Sequence, residues 1–320
     1  MKLLLIQLRR LGDALMTTPS VAAIKRARPQ AEIHFLIQEG CAGIVRGNPD
    51  VDAVIPADSQ GFFGLARRLR REHYDTVVDF QGLPKTALLA KLTGARQRVG
   101  FARRFRSLFY THAVSHAKSP EYSAIGKARL LVPLGIPVSG FTLRLPVGPG
   151  HDAEARAVSV ALDLDAAGRV AAFSPVSRRE YKRWPLSRFA AVCDALYKRR
   201  GWRFLPLFGP DEAWAVDEVI TQSRCREAFL YPYPVPSFNA LFPLLKKCAF
   251  YFGNDNGIRH AAIAAGLPTA AVFGTPDPRA WTPPDDPRHV WLWGKAEMEK
   301  IGVADFITLI EKLLDENKIV

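Results

Sequence analysis

The chain has 320 residues, of which 48% are hydrophobic and 23% are charged, so its composition excludes a disordered protein and its length suggests two domains. Its 44 Lys and Arg residues outnumber 31 Asp and Glu residues, and the net charge of +13 favours an anionic partner: nucleic acid, an acidic membrane surface or a phosphorylated ligand. The four Cys residues form no CxxC pair, and the first residues lack a signal peptide or membrane span, so we expect a cytoplasmic protein without structural zinc.

The first half of the sequence alternates short apolar runs with amphipathic stretches. Strands are predicted at residues 2–8, 33–37, 52–55 and 76–80, and helices at residues 14–28, 62–72 and 122–134. Such alternation indicates a parallel sheet covered by helices, so this half is predicted to form one Rossmann-like layer.

The segment between the first strand and the first helix carries the first candidate site, in the letters RRLGDALMTTPS. Gly12 supplies a tight turn, and Asp13 stands at the carboxyl edge of the strand, where it faces any cleft. A carboxylate at this position either caps the helix or acts as a general base held on a rigid element. At the level of sequence both interpretations of Asp13 stay open.

Residues 96–112 interleave arginines with aromatic residues, in the letters RQRVGFARRFRSLFYTH. Arginine beside aromatic rings suits the recognition of phosphate, carboxylate or nucleic acid. The alternative interpretation is a solvated basic loop that its aromatic side chains anchor to the protein.

A linker is predicted at residues 135–150, because GIPVSGFTLRLPVGPG is rich in Gly and Pro. Beyond it, strands are predicted at residues 170–173, 203–208, 249–252, 269–273 and 288–293, and helices at residues 153–162, 186–199, 258–265 and 303–314. We therefore expect domains at residues 1–150 and 151–302, with a terminal helical segment at 303–320 that packs back on the first domain.

A polar, cationic loop follows the first strand of the second half, in the letters SPVSRREYKRWP. Ser177 and Lys182 in this loop have the chemistry to hold a diphosphate, one through its hydroxyl group and the other as a point charge. An exposed basic loop without a ligand is the alternative in a chain of this charge.

The turn of residues 254–257, NDNG, lies between a buried strand and an Ala-rich helix. The unpaired N–H groups at the start of a helix favour an anion, and Gly257 lets a phosphate approach the backbone closely. His260, in the first turn of the helix, is placed to donate to the same phosphate. The alternative is a packed strand–helix–strand unit in which Asp255 caps the helix.

Three segments together resemble the ADP-heptose:lipopolysaccharide heptosyltransferase family (glycosyltransferase family 9), which are inverting glycosyltransferases. The segments are RRLGDALMTTPSVAAIKRARP, SRREYKRWP and DNGIRHAAIAAGLPTAAVFGTPDP, and they span nearly the whole chain in the family's order. The resemblance implies an α/β GT-B fold, in which two Rossmann-like domains with parallel sheets face an interdomain cleft.

The resemblance also assigns roles to individual residues. The aspartate after the first Gly is the family's proposed base and corresponds to Asp13, and the lysine before Trp-Pro contacts the diphosphate and corresponds to Lys182. Ser177 is then a phosphate neighbour, and Glu212 matches the acid expected to hold the ribose. The family's diphosphate loop corresponds to Asp255, Asn256, Gly257 and His260. Asn256 departs from the family pattern, which has Ser or Thr there, although an amide can also donate to a phosphate.

The function implied by the resemblance is the transfer of a heptose from ADP-heptose to a hydroxyl group of the lipopolysaccharide inner core, on a Kdo or heptose acceptor. Asp13 would accept the hydroxyl proton, while Lys182, Ser177 and the amides near Gly257 would stabilise the charge that grows on ADP. The candidate acceptor-binding residues are Arg10, Gly12, Arg98, Arg103, Arg104 and Arg106.

The partners expected from this function are ADP-heptose, Kdo2-lipid A or its heptosylated form, and the anionic cytoplasmic face of the bacterial inner membrane. A metal cofactor is not expected, because a cationic site makes a metal unnecessary for holding a diphosphate. Nucleic acid is not expected as a partner either. Two alternatives belong to other classes: a GT-B transferase or epimerase that uses another nucleotide sugar, and a non-catalytic basic protein that binds nucleic acid.

Overall fold

A computed structural model describes residues 1–319 of the chain. The chain forms two compact units, Met1–Pro146 and a second that begins at Val147, close to the expected boundary after residue 150. Within the described residues, no helix is both long enough and apolar enough to cross a membrane.

The first unit is built from six strands and five α-helices. The strands are β1 (Lys2–Ile6), β2 (Glu32–Ile37), β3 (Ala53–Pro56), β4 (Thr76–Asp79), β5 (Gln97–Phe101) and β6 (His112–Val114). The helices are α1 (Leu11–Leu15), α2 (Thr18–Ala27), α3 (Phe62–Arg71), α4 (Pro84–Leu92) and α5 (Ser123–Ala128).

The six strands of the first unit form one parallel sheet in the order β3-β2-β1-β4-β5-β6. This is the Rossmann order, in which the chain reverses direction across the sheet between its first and fourth strands. The inner strands are buried along nearly their whole length, as their continuous apolar sequence predicts for a sheet covered on both faces.

The segment of residues 96–112 differs from its prediction, because it contains strand β5 and the first residue of β6 in addition to a loop. Val99, Gly100 and Phe101 are buried in β5, so the ring of Phe101 is part of the packing around the sheet. The strand was not predicted because the charged Arg98 interrupts its apolar pattern. In the structure its guanidinium donates to the carbonyl oxygens of Ala95 at 2.5 Å and Phe109 at 3.0 Å, which satisfies the cation within the fold.

Up to residue 319, the second unit contains five strands and six α-helices. The strands are β7 (Val170–Ser174), β8 (Arg203–Pro206), β9 (Phe250–Asn254), β10 (Thr269–Phe273) and β11 (His289–Trp293). The helices are α6 (Pro149–Ala161), α7 (Leu186–Arg200), α8 (Ala213–Gln222), α9 (Leu241–Leu245), α10 (Gly257–Ala264) and α11 (Val303–Glu316).

The five strands of the second unit form a parallel sheet in the order β11-β10-β9-β7-β8. An isolated parallel bridge between Phe204 and Phe229 extends the outer side of β8. With that bridge the second sheet follows the same order as the first, and the chain again reverses direction beside its first strand, between β7 and β9.

The terminal helix α11 was expected to pack on the first domain, and the structure shows that this expectation is wrong. Its apolar residues Phe306, Ile307, Ile310, Leu313 and Leu314 are buried in the core of the second unit, and α11 packs against α7, β10 and β11. Their spacing places all five on one face of the helix, and the sheet of its own unit offers the nearest apolar surface to cover them. The last residue of the predicted segment 303–320 lies outside the described residues.

Candidate active site

Each sheet has one point where the chain reverses direction, between β1 and β4 in the first unit and between β7 and β9 in the second. Open α/β sheets bind their ligands at the carboxyl ends of the strands at such points, because the loops there diverge to opposite faces of the sheet. Asp13 follows β1, Ser177 and Lys182 follow β7, and the turn from Asp255 to Gly257 follows β9. Glu212 instead follows β8, and the predicted acceptor arginines other than Arg10 lie in β5 or after it.

In the second unit, a glycine lets strands β7 and β9 end in close contact. Gly253 pairs with Ser174, and a Cβ atom at Gly253 would lie 2.4 Å from the carbonyl oxygen of Ser174 and 2.7 Å from the hydroxyl of Tyr251. Distances this short exclude any side chain at position 253. Because Gly253 has no side chain, the loops after β7 and β9 can lie close together.

Asn254 fastens the loop after β7 to the end of β9. Its side-chain amide donates to the carbonyl oxygen of Pro175 at 2.6 Å and accepts from the backbone N–H of Trp184 at 3.0 Å, and the residue is fully buried. The two contacts hold both ends of the loop that carries Ser177 and Lys182. Asn254 therefore positions that loop, a role that the sequence analysis missed.

Asn256 is the N-cap of α10, and Asp255 is not. The Asn256 Oδ1 accepts from the backbone N–H of Arg259 at 3.0 Å, while Nδ2 donates to Ser174 Oγ and to the carbonyl oxygen of Val176, both at 2.9 Å. Both amide hydrogens are thus used within the protein. The expected donation from this amide to a phosphate would require one of these bonds to break, so the geometry favours a positioning role for Asn256.

The start of α10 combines backbone donors with a buried histidine. The first N–H groups of a helix have no partner within it, and because Asn256 takes that of Arg259, those of Gly257 and Ile258 remain at the helix end. His260 is 3% exposed, and its Nδ1 has no hydrogen-bond partner among residues 1–319. Burial, with the charges of Arg259 and Lys182, lowers the pKa of His260 to about 3, so the imidazole is neutral at physiological pH.

Two cations accompany this helix end. Lys182 lies at the end of a short 3₁₀ helix in the loop after β7, and its Nζ is 3.2 Å from Asp255 Oδ2. Arg259 is fully buried, and its guanidinium donates to the carbonyl oxygen of Trp281 at 3.0 Å and to Thr282 Oγ1 at 2.9 Å. The structure thus brings Lys182, Asp255, Gly257 and His260 close together, and Arg259, which the sequence did not single out, lies beside them.

The remaining predicted nucleotide residues flank this cluster. Ser177 is buried, and its carbonyl oxygen accepts from Arg183 Nε at 2.7 Å. Glu212 follows β8, and its Oε2 accepts from the backbone N–H of Gly209 at 2.9 Å, which closes the turn before α8. The guanidinium of Arg183 lies 5.3 Å from the ring centroid of Trp214, so the loop after β7 touches the first turn of α8 through a cation–π contact.

In the first unit, the start of α1, directly after β1, carries Asp13 at the corresponding edge. Asp13 lies in the first turn of α1, but the N-cap is Arg10 and no side chain caps the helix. The capping interpretation of Asp13 is therefore wrong. Arg10 is exposed with a φ of 71°, a left-handed conformation that costs about 1–3 kcal/mol in a residue other than glycine and often marks functional loops.

A buried lysine faces this edge. The Nζ of Lys127, on α5, donates to Gln7 Oε1 at 2.6 Å, and Gln7 Nε2 donates to Gln81 Oε1 at 2.9 Å. Burial lowers the pKa of Lys127 to about 8, and the nearby carboxylates of Asp13 and Asp79 oppose this shift. Lys127 was missed because one lysine among many gives no signal, although its spacing from the buried Ala124 and Leu131 places it on the apolar face of its helix.

Asp79, at the end of β4, shapes the same edge. Its Oδ1 accepts from the N–H groups of Gln81 at 3.0 Å and Gly82 at 2.9 Å, and its Oδ2 accepts from the Tyr110 hydroxyl at 2.7 Å. Burial raises the pKa of Asp79 against these hydrogen bonds. A Cβ at Gly100 would lie 2.2 Å from the Tyr110 ring, so the glycine makes room for this contact.

The arginines expected to bind an acceptor fall into two groups. Arg98 donates to backbone carbonyls, and Arg106 donates to the carbonyl oxygen of Gly82, so both guanidiniums hold their own loop in place. Arg103 and Arg104 are exposed, as is Arg10, and Gly12 is buried. Of these arginines, only Arg10, Arg103 and Arg104 have charges that are available to a ligand.

The cysteines of the chain are all free thiols. Cys41 is partly exposed and lies close to the backbone of Arg10 and the carboxylates of Asp58 and Asp13, while Cys193, Cys225 and Cys248 are buried. Within residues 1–319, no group of three or more His, Cys, Asp or Glu side chains is arranged to hold a metal ion. Binding of the donor without a metal stays a prediction.

Comparison with known proteins identifies the family of the chain. Residues 62–303 match glycosyltransferase family 9 (heptosyltransferase). Lipopolysaccharide heptosyltransferase 3 of Escherichia coli is 26% identical over 95% of this chain and 96% of its own length.

Two solved structures resemble the whole fold. A glycosyl transferase of family 9 from Veillonella parvula matches 98% of this chain and 97% of its own, with a TM-score of 0.84 and 22% identity. The E. coli heptosyltransferase WaaC with ADP-2-deoxy-2-fluoro heptose matches 99% of this chain and 100% of its own, with a TM-score of 0.75 and 22% identity. These matches confirm the predicted α/β fold of GT-B type with two Rossmann-like parallel sheets. Because the family match covers more than half of the chain, this protein belongs to glycosyltransferase family 9 and is a glycosyltransferase.

Proposed function

We propose that this glycosyltransferase transfers a heptose from ADP-heptose to a hydroxyl group of a lipopolysaccharide core acceptor, with inversion at the anomeric carbon. The observation that carries the proposal is the anion site at the start of α10, where two backbone N–H groups, Lys182 and the neutral His260 lie together. The relatives named above support heptose as the sugar, and WaaC was solved with an ADP-heptose analogue.

The second unit holds the donor in this proposal. The diphosphate accepts from the N–H groups of Gly257 and Ile258 and pairs with Lys182, which exchanges part of its contact with Asp255 for the phosphate. His260, being neutral, can donate from one ring nitrogen without a proton being taken up. Glu212 accepts from the ribose hydroxyls, and Ser177 lies beside the phosphates.

Stabilisation of the leaving group follows from the same contacts. As the bond between the anomeric carbon and ADP breaks, negative charge grows on the diphosphate oxygen. Donors that are already fixed, such as the end of α10 and Lys182, stabilise that charge without reorganisation. The fully buried Arg259 adds a positive charge near this helix end that cannot move away.

The first unit supplies the base. Asp13 accepts the proton of the acceptor hydroxyl while the oxygen attacks the anomeric carbon on the face opposite to ADP, which gives inversion. Lys127 places a buried ammonium near Asp13 and is a candidate to hold its carboxylate in position. The exposed cations Arg10, Arg103 and Arg104 remain the candidates for contacts to the acidic acceptor.

The proposed acceptor is Kdo2-lipid A or its heptosylated form, and the proposed setting is the cytoplasmic face of the bacterial inner membrane. The net charge of +13 supports this setting, because the acceptor and the membrane surface are both anionic. We expect transfer to need no metal, so a chelator such as EDTA should leave the initial rate unchanged. A rate that falls with EDTA and returns with added Mg²⁺ would contradict this part of the proposal.

The test is a transfer assay with purified protein, ADP-heptose and a panel of truncated core acceptors. Product that contains heptose is expected with at least one acceptor, and parallel reactions with UDP-sugars should give none. Transfer from a UDP-sugar but not from ADP-heptose would overturn the proposal.

Thermal unfolding separates this function from nucleic-acid binding. ADP should raise the melting temperature by mass action, whereas an RNA oligomer should not. Protection by RNA alone would favour a nucleic-acid-binding protein.

A further inference from the structure

The loop of residues 102–109, between β5 and β6, displays large apolar side chains to solvent. Phe105 is 71% exposed and Leu108 is 77% exposed, although Phe101 and Tyr110 at the two ends of the loop are buried. Apolar side chains this exposed and this close in sequence are unusual on a soluble surface and often mark an interaction site. The proposed function gives them no role.

Backbone and side-chain hydrogen bonds fix the conformation of the 102–109 loop. The backbone N–H groups of Arg106 and Ser107 both donate to the carbonyl oxygen of Arg103 at 3.1 Å, and the Ser107 hydroxyl accepts from the N–H of Arg103 at 3.1 Å. Phe105 has a φ of 61°, a left-handed conformation that is rare for a residue with a large side chain. The loop is therefore an ordered structure that presents Phe105 and Leu108 outward.

Cations border the apolar pair. Arg103 and Arg104 are exposed, and the Arg104 guanidinium lies 5.1 Å from the ring centroid of Phe105. No acidic residue occurs between residues 80 and 120, so the loop is strongly positive for its whole length. A surface that pairs protruding apolar groups with arginines matches the boundary between anionic headgroups and acyl chains.

Other partners fit this pattern less well. A nucleic acid would stack a base on Phe105 and pair with the arginines, but the aliphatic Leu108, the more exposed of the two, would gain nothing from it. We propose that the 102–109 loop docks on an anionic phospholipid bilayer, with Phe105 and Leu108 entering the headgroup region and Arg103 and Arg104 pairing with lipid phosphates. This proposal rests on the proposed function only in that it presumes an acceptor carried by a membrane.

The experiment is co-sedimentation of the full-length protein with vesicles of phosphatidylcholine alone or mixed with phosphatidylglycerol. Wild type should bind the mixed vesicles and not the neutral ones. Phe105→Ser with Leu108→Ser should weaken binding by about tenfold or more, because the apolar insertion is lost. Arg103→Gln with Arg104→Gln should weaken binding by about tenfold and remove the preference for the anionic lipid.

Val160→Ser is the matched control, since Val160 is 75% exposed on α6 in the other unit and its substitution should leave vesicle binding unchanged. Equal binding of wild type and the Phe105/Leu108 double variant would overturn the proposal. So would a double variant that binds vesicles normally but no longer binds an RNA oligomer.

Two further measurements keep folding and function separate from docking. The Phe105/Leu108 double variant should keep the wild-type melting temperature and ADP affinity, because ADP is assigned to the other unit. Failure of wild type to bind ADP would count against the proposed function and leave the vesicle result valid. Loss of vesicle binding with a normal ADP affinity supports docking by this loop.

Discussion

The two sheets have the same strand order, but different chemical groups lie at their carboxyl edges. In the first unit, the edge brings the carboxylates Asp13 and Asp79 near one buried ammonium, that of Lys127. In the second unit, the edge has backbone N–H groups, the cations of Lys182 and Arg259, and a histidine that burial keeps neutral. In the proposed function, one scaffold thus presents a proton acceptor in one unit and an anion site in the other.

The difference teaches that function in this fold resides in the first residues after each strand. A general base must accept a proton, whereas a phosphate site must supply hydrogen-bond donors and positive charge, and separate sheets allow each set of groups to be built independently of the other. Substitutions in the two units should therefore change different measurements. The following predictions test that separation.

The largest effect is expected from Asp13→Asn. Turnover should fall about a hundredfold or more, because the amide has nearly the shape of the carboxylate but cannot accept a proton. The melting temperature should barely move, since Asp13 does not cap α1, and the affinity for ADP should stay at the wild-type value. Steady-state kinetics, calorimetry with ADP and thermal unfolding measure the three quantities.

Asp152→Asn is the control for Asp13→Asn, because Asp152 also lies in the first turn of a helix, α6, and is exposed. It should keep the wild-type rate. An Asp13→Asn protein that transfers sugar near the wild-type rate would rule Asp13 out as the base.

Lys182→Ala should change the second unit alone. A diphosphate that loses a charge-assisted contact worth about 1.5–3 kcal/mol should bind about 10- to 100-fold more weakly, as measured by calorimetry with ADP. Lys300, 68% exposed and paired with Glu297, offers the control Lys300→Ala, which should bind ADP normally. An unchanged ADP affinity in Lys182→Ala would remove this lysine from the donor site.

Lys127→Met tests whether the buried ammonium supports the base. The value of kcat/KM should fall about tenfold, which corresponds to about 1.4 kcal/mol of electrostatic support, while ADP affinity is kept. Because the pKa of Lys127 is about 8, its charge is present below that pH and lost above it. The wild-type rate should therefore decline as the pH rises through about 8, and the Met variant should lack this decline.

A pH–rate profile of both proteins, with the exposed Lys118→Met as control, decides the question for Lys127. A decline of the same size and position in the Met variant would show that another group causes it. An unchanged rate at neutral pH would show that Lys127 has only a structural role.

The last prediction concerns His260 and acid stability, and it leaves transfer aside. Its pKa is about 3 in the folded protein and about 6.5 when unfolded, so the unfolded chain binds the additional proton between these values. The free energy of unfolding should therefore fall as the pH drops from 6.5 toward 3, by up to about 1.4 kcal/mol per pH unit from this residue. Denaturant unfolding at several pH values should show a shallower dependence in His260→Gln.

Burial also lowers the pKa of His289, to about 4, so part of the acid dependence should persist in His260→Gln. An unchanged slope in the variant would mean that His260 is not buried in its neutral form. Added ADP should reduce the slope in wild type, since a nearby anion favours protonation of the folded state.

Much of the fold could be predicted from the sequence because its strands are continuous apolar runs. Leu3 to Ile6 and Thr269 to Phe273 have no polar interruption except Thr269, and helices cover both faces of such strands. Strand β5 escaped prediction because Arg98 and Gly100 break its pattern, and their roles depend on Ala95, Phe109 and Tyr110, which only the folded chain brings near.

The candidate site was predictable where a residue acts through its own chemistry. Lys182 and His260 belong to polar or glycine-containing turns at strand ends, and that position alone marks them. Asn254 and Lys127 act through contacts with residues distant in sequence, such as Pro175 and Gln7, so local pattern does not show them. The packing of α11 was mispredicted because an amphipathic helix reveals which face is apolar but not which sheet covers it.

The placement of the cysteines makes the two units distinguishable to a thiol reagent. Cys193 and Cys248 are buried, and burial raises their pKa values, so neither should react in the folded protein, and the buried Cys225 should be similarly protected. Burial also raises the pKa of Cys41, but Cys41 alone is partly exposed, and it lies beside Arg10 and Asp13. A maleimide fluorophore should therefore attach at one place without any engineered cysteine, and its emission would report acceptor binding at the first unit separately from nucleotide binding at the second.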